Sequence, residues 1–284
     1  MTTFKSGLVA LLLWLYAGQT MAIDWYVRDW PPFNMQQGPD AGQGSYDLML
    51  GQLVAALPQY QHRQFFATLI KRQQLMQQDV PHCLFGVLKS KERQEKMLFS
   101  DIAFYSPALR LVALADHPLW QANNTGAAIE LSTLLQQPWT GMVEYKRLYP
   151  AHIQQYTGKL LQVTDSSTDL VAMLKAGRAD YVVEYPDRIH WLASHHPTLS
   201  LRYARIASEA PVVPVYVACQ KSAQAAEQIA AINTALQQLR RSPAYQQAWL
   251  HQLRDLSRQE LQAQIARDPL FQTPATRSSQ AVAQ

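Results

Sequence analysis

Several side chains in this sequence suit the holding of a small ligand, and few are arranged to transform one. Arg93 closes the run Gly86-Val87-Leu88-Lys89-Ser90-Lys91-Glu92-Arg93. Its guanidinium is a planar fork of donors that meets a carboxylate through two parallel bonds, which Lys cannot copy. The plainer alternative is a surface pair with Glu92 or Glu95. Gly86 either lets a ligand approach the backbone closely or serves an ordinary strand-end turn. Trp30 and Phe33 flank Pro31-Pro32, and two large aromatics beside such a turn cannot all face inward, so they are candidate walls of a cleft. Lys146 and Arg147 could meet an anion at a helix start, although a solvated basic turn is the simpler reading.

Signatures of catalysis are missing. The sequence has no G-x-S-x-G elbow, no phosphate-binding glycine loop and no paired-cysteine metal motif. His190 and His195 are five apart, a spacing that does not set two imidazoles on one helical face, and no carboxylate or Cys nearby completes a metal set. No cofactor is implied, and the chain is not expected to be an enzyme.

The elements that must position these residues alternate between strand-like and helix-like segments, which points to α/β architecture. Ile23 to Arg28 reads as a strand stopped by the aromatic-proline turn, and Asn34 to Gly44 as a loop. Ser45 stands as a cap for a helix with Met49, Leu53, Ala56 and Leu57 on one face. Strands around Arg63 to Phe66 and Cys83 to Val87 enclose a helix over Ile70 to Gln78. After Asp101 the pattern restarts, with strands at Leu109 to Ala115, Trp139 to Tyr145 and Tyr181 to Glu184. Helices are expected at Leu131 to Gln137 and Asp165 to Ala176. Val212 to Gln220 is apolar and β-branched, and the rest is helical, with Ser242-Pro243 restarting a helix in the cap-then-Pro arrangement. From Phe271 onward the tail is polar and small, and is expected to be disordered. In open α/β sheets ligands sit at the carboxyl ends of strands, where Phe33, Gly86, Tyr145 and Glu184 all fall.

The N-terminus sets the expected compartment. Lys5, an apolar run over Gly7 to Gly18 and the small-residue site Thr20-Met21-Ala22 have the three-part layout of a cleaved secretory signal peptide, residues 1–22. That run is too short for a stable bilayer anchor. A periplasmic location follows as an expectation. The net charge of +4 is scattered rather than gathered into a basic stripe, which argues against a nucleic-acid partner. Two cysteines, Cys83 and Cys219, are an even pair compatible with one disulfide in an oxidising compartment.

Taken along the chain, these motifs have a family likeness. Gly86 to Arg93, then Phe99-Ser100-Asp101 and Tyr105, resemble the cleft segment of the family 3 periplasmic solute-binding proteins of ABC transporters. Gly177-Arg178-Ala179-Asp180 with Tyr181-Val182-Val183 is similar to that family's second-lobe turn and strand. Leu236, Leu239, Tyr245 and Trp249 are similar to its closing helices, and Trp30-Pro31-Pro32-Phe33 to its aromatic-proline loop.

The resemblance implies a type II periplasmic-binding-protein fold. Two α/β lobes, each a sheet flanked by helices, would be joined by two hinge crossings near Tyr105 to Leu111 and Pro214 to Val217. Lobe I would take residues 23–106 and 216–256 and lobe II 107–215, leaving 257–284 as a helix end and tail. A small, carboxylate-bearing ligand would be caught between the lobes, with Arg93 as the carboxylate fork. Gly86, Trp30, Phe33, Tyr105, Tyr145, Glu184 and Tyr185 would surround it.

The resemblance also implies differences. Val27 and Tyr185 stand where amino-acid binders carry the carboxylates that hold the ligand's ammonium, and Leu88 replaces an assisting Thr. Asp29 or Glu184 could substitute by a one-residue shift. A few proteins of this fold are enzymes resembling cyclohexadienyl dehydratase, in which a cleft acid protonates a leaving group, and Glu184 is the candidate for that part. The expected partners are the ligand and a membrane permease or sensor receptor, with the chain acting as a monomer. Cys83 and Cys219 would face each other across antiparallel strands and form a disulfide, the alternative being two buried free thiols.

Overall fold

The computed structural model describes residues 21–123, 128–164 and 169–272. Most of the expected leader, the first turn of the helix expected from Asp165 and the tail from residue 273 on lie outside the described residues. The chain runs β1 (Ala22–Val27), α1 (Ser45–Ala55), β2 (Gln61–Phe66), α2 (Leu69–Gln77), β3 (Cys83–Val87), α3 (Lys91–Lys96) and β4 (Met97–Pro107). It continues as β5 (Arg110–Leu114), α4 (Leu119–Ala122), α5 (Leu131–Leu134), β6 (Gly141–Glu144), α6 (Ala151–Gln154), β7 (Leu161–Val163), α7 (Leu170–Lys175), β8 (Tyr181–Glu184), α8 (Pro186–Ala193) and β9 (Leu201–Arg205). It closes with β10 (Val212–Gln220), α9 (Ala225–Leu239), α10 (Pro243–Leu250) and α11 (Asp255–Arg267).

These strands form two five-stranded sheets, β2-β1-β3-β10-β4 and β7-β6-β8-β5-β9, so the fold is a two-lobed α/β structure. The first sheet is parallel where helices connect its strands and antiparallel where β10 returns between β3 and β4. The second follows the same plan, with β6 parallel to β7 and β8, and β5 antiparallel to β8 and β9. Between β4 and β5 the chain passes from one sheet to the other, and between β9 and β10 it comes back.

The second crossing lies earlier than the sequence suggests. Pro214 to Val217 falls inside β10, which already pairs with β4 from Val212↔Pro107 onward. The strand β4 also runs through Asp101, where the sequence reading had ended the first βα pattern. A polar Ser100-Asp101 step is tolerated there because Ser100 Oγ accepts the N–H of Val217 beside the irregularity at Tyr216/Ala218. An orphaned strand N–H is thereby satisfied.

Local chemistry fixes the loop that carries the aromatics. The cap of α1 is Gly44 rather than Ser45, which is its first, buried residue. Asp47 reaches back to the N–H groups of Gly44 and Met35 at 3.2 and 2.7 Å and also takes the Asn34 amide. A Cβ at position 44 would stand 2.3 Å from the Phe33 carbonyl oxygen, so only Gly fits. The Trp30–Phe33 loop is thereby pinned to the start of α1.

Order continues past the expected end of the C-terminal helices. After α10, α11 and the turn Pro269–Phe271 lie against β4 and β10. Phe271 is buried, with its ring 5.2 Å from Trp249 and 5.7 Å from Tyr105. Polar contacts tie this segment to the crossing and to the second lobe. Glu260 meets Arg110 at 2.6 Å, Tyr105 donates to Asp268 at 2.5 Å, and the N–H of Arg254 donates to Asp187 at 2.6 Å.

Cys83 and Cys219 form a disulfide. They are register partners in the antiparallel pair β3–β10, with Cα atoms 4.0 Å apart. The bond encloses the whole excursion through the second lobe, a sequence separation of 136 residues. Loop-closure entropy gives such a link about 4–5 kcal/mol as an upper bound. Cys83→Ala with Cys219→Ala is therefore expected to lower the urea midpoint, with the m-value rising as the uncrosslinked denatured chain expands, and protein exported to an oxidising compartment should contain no alkylatable thiol. Free thiols in that protein, or an unshifted midpoint, would count against the bond.

Candidate functional site

Four strand ends of two sheets meet at one place. Arg28 follows β1, Gly86 sits near the end of β3, Glu144 ends β6 and Glu184 ends β8. Between them lies a cavity of about 60 Å³ lined by Arg28, Trp30, Tyr46, Gly86, Arg93 and Tyr185, with Arg72 and Arg147 completing its walls. A wider cleft of about 440 Å³ shares Arg72, Arg93 and Arg147 and reaches Ser90, Tyr145, Gln154 and Thr157.

Trp30 is the centre of the aromatic wall. It is buried, with ring contacts to Phe33 at 4.7 Å, Tyr185 at 5.7 Å and Tyr46 at 6.1 Å. Three guanidinium groups gather at its indole: Arg28 at 3.8 Å, Arg147 at 5.0 Å and Arg188 at 5.8 Å from the ring centroid. Each such contact is worth about 0.5–2 kcal/mol, more where water is excluded.

Two buried carboxylates oppose those arginines. Arg28 Nη1 donates to both oxygens of Glu144 at 2.9 and 3.1 Å, joining the end of β1 to the end of β6 across the cleft. Arg147 Nη1 donates to both oxygens of Glu184 at 2.6 and 2.7 Å, and Arg188 approaches the same carboxylate at 3.4 Å. Burial works to raise the pKa of Glu144, but Arg28, Arg188 and Arg147 outweigh it and hold the carboxyl below its ordinary value. Arg188 also donates to the Pro31 carbonyl at 3.4 Å, a second bond between the lobes.

Gly86 shows why a glycine ends β3. Its φ is +72°, and a Cβ there would lie 2.6 Å from the Tyr46 ring and 3.3 Å from Phe104. The backbone thus turns in a region that favours glycine and keeps the cavity floor low.

Arg93 stands at the start of α3, where Ser90 caps its N–H. Its guanidinium donates to the Leu88 carbonyl at 3.0 Å and lines both cavity and cleft instead of pairing with Glu92 or Glu95 on the surface. Burial, opposed by the charge of Glu92 and helped by that of Arg28, pushes its pKa down to about 10.

The structure gathers some of the expected site residues and disperses others. Arg93, Gly86, Trp30 and Tyr185 surround the cavity, and Tyr145 lines the outer cleft. Phe33 stands behind Trp30, packed on Tyr46 and Tyr185. Tyr105 lies elsewhere: its ring packs on Trp249 and Phe271 and its hydroxyl is held by Asp268, because the C-terminal segment covers β4. Glu184 is buried behind the wall, its oxygens taken by Arg147, Arg188 and the N–H of Tyr185. Asp29 accepts from the Gln36 N–H. Both carboxylates are thus bonded to groups of the protein itself. Arg147 is no solvated turn residue, since its side chain is only 7 % exposed. Of the histidines, His196 pairs with Asp169 at 2.6 Å.

Sequence reasoning missed Arg28, Arg72, Arg188 and Glu144. Arg28 and Glu144 carried a usable signal, each at a strand's carboxyl end. Arg72 on α2 and Arg188 on α8 carried none, because a helical Arg reads the same whether it faces water or a cleft.

No protein-family model matches this sequence, and no curated protein matches it. Solved structures do resemble it in fold. A putative L-cystine ABC transporter from Listeria monocytogenes is 18% identical, with 86% of this chain and 97% of that chain covered and a TM-score of 0.62. An amino acid ABC transporter substrate-binding protein from Streptococcus pneumoniae, bound to L-arginine, is 15% identical over 85% of this chain and 96% of that one, at a TM-score of 0.58. A histidine kinase sensor domain with similarity to periplasmic binding proteins is 16% identical over 81% and 96%, at a TM-score of 0.63. The chain thus has the fold of the solute-binding proteins that its motifs resemble.

The site makes two expectations concrete. Gly86→Ala should push Tyr46 aside and destabilise the chain by about 1–3 kcal/mol in urea unfolding; a change under about 0.5 kcal/mol would mean the turn relaxes freely. Glu144→Ala removes the acceptor of Arg28 across the cleft and should widen the lobes, raising the radius of gyration in small-angle scattering. Scattering identical to the parent would show that this pair does not hold the lobes together.

Proposed function

We propose that this protein captures a small anionic solute between its two lobes and releases it by hinge motion, as an exported binding protein serving an ABC-type importer. The observation that carries this reading is the cavity at the inter-lobe strand ends with the Arg93 fork on its wall. A neighbour of the same fold holds L-arginine, and the leader-like N-terminus supports export to the periplasm.

A carboxylate at Arg93 would replace the Leu88 carbonyl as its strongest acceptor, because charge-assisted bidentate bonds are roughly twice as strong as neutral ones. Closure of the lobes around it excludes water and strengthens the same bonds. The dehydratase-like alternative has less support, since Glu184 has no oxygen aimed into the cavity. Presentation of ligand to a receptor is favoured by one observation, the sensor domain of like fold; it uses the same cleft.

A thermal-shift screen of amino acids, organic acids and small peptides tests the reading. A ligand at a hundredfold its dissociation constant adds about 2.7 kcal/mol of stability, and Arg93→Ala should abolish the shift. Stabilisation only by ligands without an anionic group, or shifts indifferent to Arg93→Ala, would contradict it.

A further inference from the structure

The charges around the cavity do not balance, and the imbalance has a location. Arg28 is answered by Glu144, and Arg147 and Arg188 share Glu184. Asp29 and Asp47 are bonded to the loop's own N–H groups and amides, and Glu92, the residue before Arg93, lies exposed on the wider cleft. Two arginines of the cavity wall, Arg72 and Arg93, then have no carboxylate partner among the described residues. Arg93 has the Leu88 carbonyl. Arg72 has the Tyr26 carbonyl through Nη2, while its Nε is buried without any hydrogen-bond partner. On the same wall the Trp30 Nε1 is also buried and unpartnered.

Unmet donors of this kind are expensive unless something meets them. Burial, then the charges of Arg28 and Arg93, pushes the pKa of Arg72 down to about 9 against the smaller pull of Glu144, so its charge is costly chiefly because water is excluded from it. Guanidinium groups do not readily give up their proton, so the cheaper remedy is an anion. A single carboxylate satisfies one fork. The cavity offers two, 21 positions apart on separate helices, with Arg28 behind them on Trp30.

Resting on the reading of this cleft as the ligand site, we propose that the cavity between Arg28, Arg72 and Arg93 binds a small dianionic ligand rather than a zwitterionic amino acid, with Arg72 as its second anion-holding arginine. A zwitterion would bring an ammonium into a field of guanidinium groups where the buried carboxylates Glu144 and Glu184 are already engaged and Glu92 lies exposed on the outer cleft, so the ammonium would lack a buried counter-charge. A dianion needs no such partner. At about 60 Å³ the cavity suits a compact group, and a dicarboxylate and a phosphate share the required chemistry.

Isothermal titration of the exported chain separates the possibilities, using malonate, succinate and inorganic phosphate as dianions, acetate as a monoanion, L-glutamine as a zwitterion, and L-arginine as an amino acid with a further positive charge. At least one dianion is expected to bind about tenfold or more tightly than acetate or either amino acid. Whether the carboxylates or the phosphate win identifies the source. Arg72→Gln should weaken that dianion about tenfold or more while leaving acetate affinity within about twofold. Arg72→Lys should restore only part of the loss, because it returns the charge without the fork. The melting temperature of each variant without ligand checks that it is folded. Tight binding of an amino acid that depends on Arg93 but not on Arg72 overturns the dianion proposal and leaves solute binding standing. Dianion binding indifferent to both arginines, or no binding by any of these probes, overturns both.

Discussion

Arg28 lies on the face of Trp30 and reaches across the cleft to Glu144, and much of the molecule is arranged around that contact. Three layers have to be right for it to form. The sheet of the first lobe must deliver the end of β1 to the cleft, the loop pinned by Asp47 must hold Trp30 flat beneath the guanidinium, and β6 of the second lobe must bring a carboxylate opposite. An ion pair at 7 and 4 % side-chain exposure is no bargain for stability, since desolvation can cancel its attraction. Its value is geometric. It sets how close the lobes come and which groups are shut inside.

The surrounding construction can be understood as support for that closure. The disulfide at Cys83–Cys219 fixes the strand that returns from the second lobe against the strand that ends at Gly86. The C-terminal helix and turn cover the crossing strands and touch both lobes, through Asp268 with Tyr105 of the first sheet and through Glu260 with Arg110 and the Arg254 N–H with Asp187 of the second lobe. A hinge restrained at both its strands and along its outer face leaves rotation about a narrow set of axes, the kind of motion that opens and shuts a cleft.

How much of this was legible in the sequence depended on whether the signal was local. Strands such as Cys83–Val87, Tyr181–Glu184 and Val212–Gln220 are short apolar or β-branched runs bounded by polar residues, and their limits agree with the reading. The cysteine pairing is what the family resemblance implies, because it sets the strand of Cys83 beside the returning strand of Cys219, and the disulfide is present. The sequence shows no strand across Asp101, where its pattern restarts, and the distant N–H of Val217 held by Ser100 explains how β4 runs through that polar step. The site was half legible. Arg93 and Trp30 sit in motifs, but the arginines that set its charge come from α2, α8 and the loop after β6. Tyr105 was misassigned because the sequence could not show that Phe271 and Asp268 would return to claim it. Pairings between residues a hundred or more positions apart leave no trace in local composition.

The account as a whole holds that the inter-lobe cavity is a built anion site. A crystal of the exported protein grown with selenate, whose selenium gives an anomalous signal, tests that most directly. The account predicts an anomalous peak inside the closed cleft, within hydrogen-bonding reach of the Arg72 and Arg93 guanidinium groups. A closed cleft with no peak there, or peaks only at surface lysines, would contradict it.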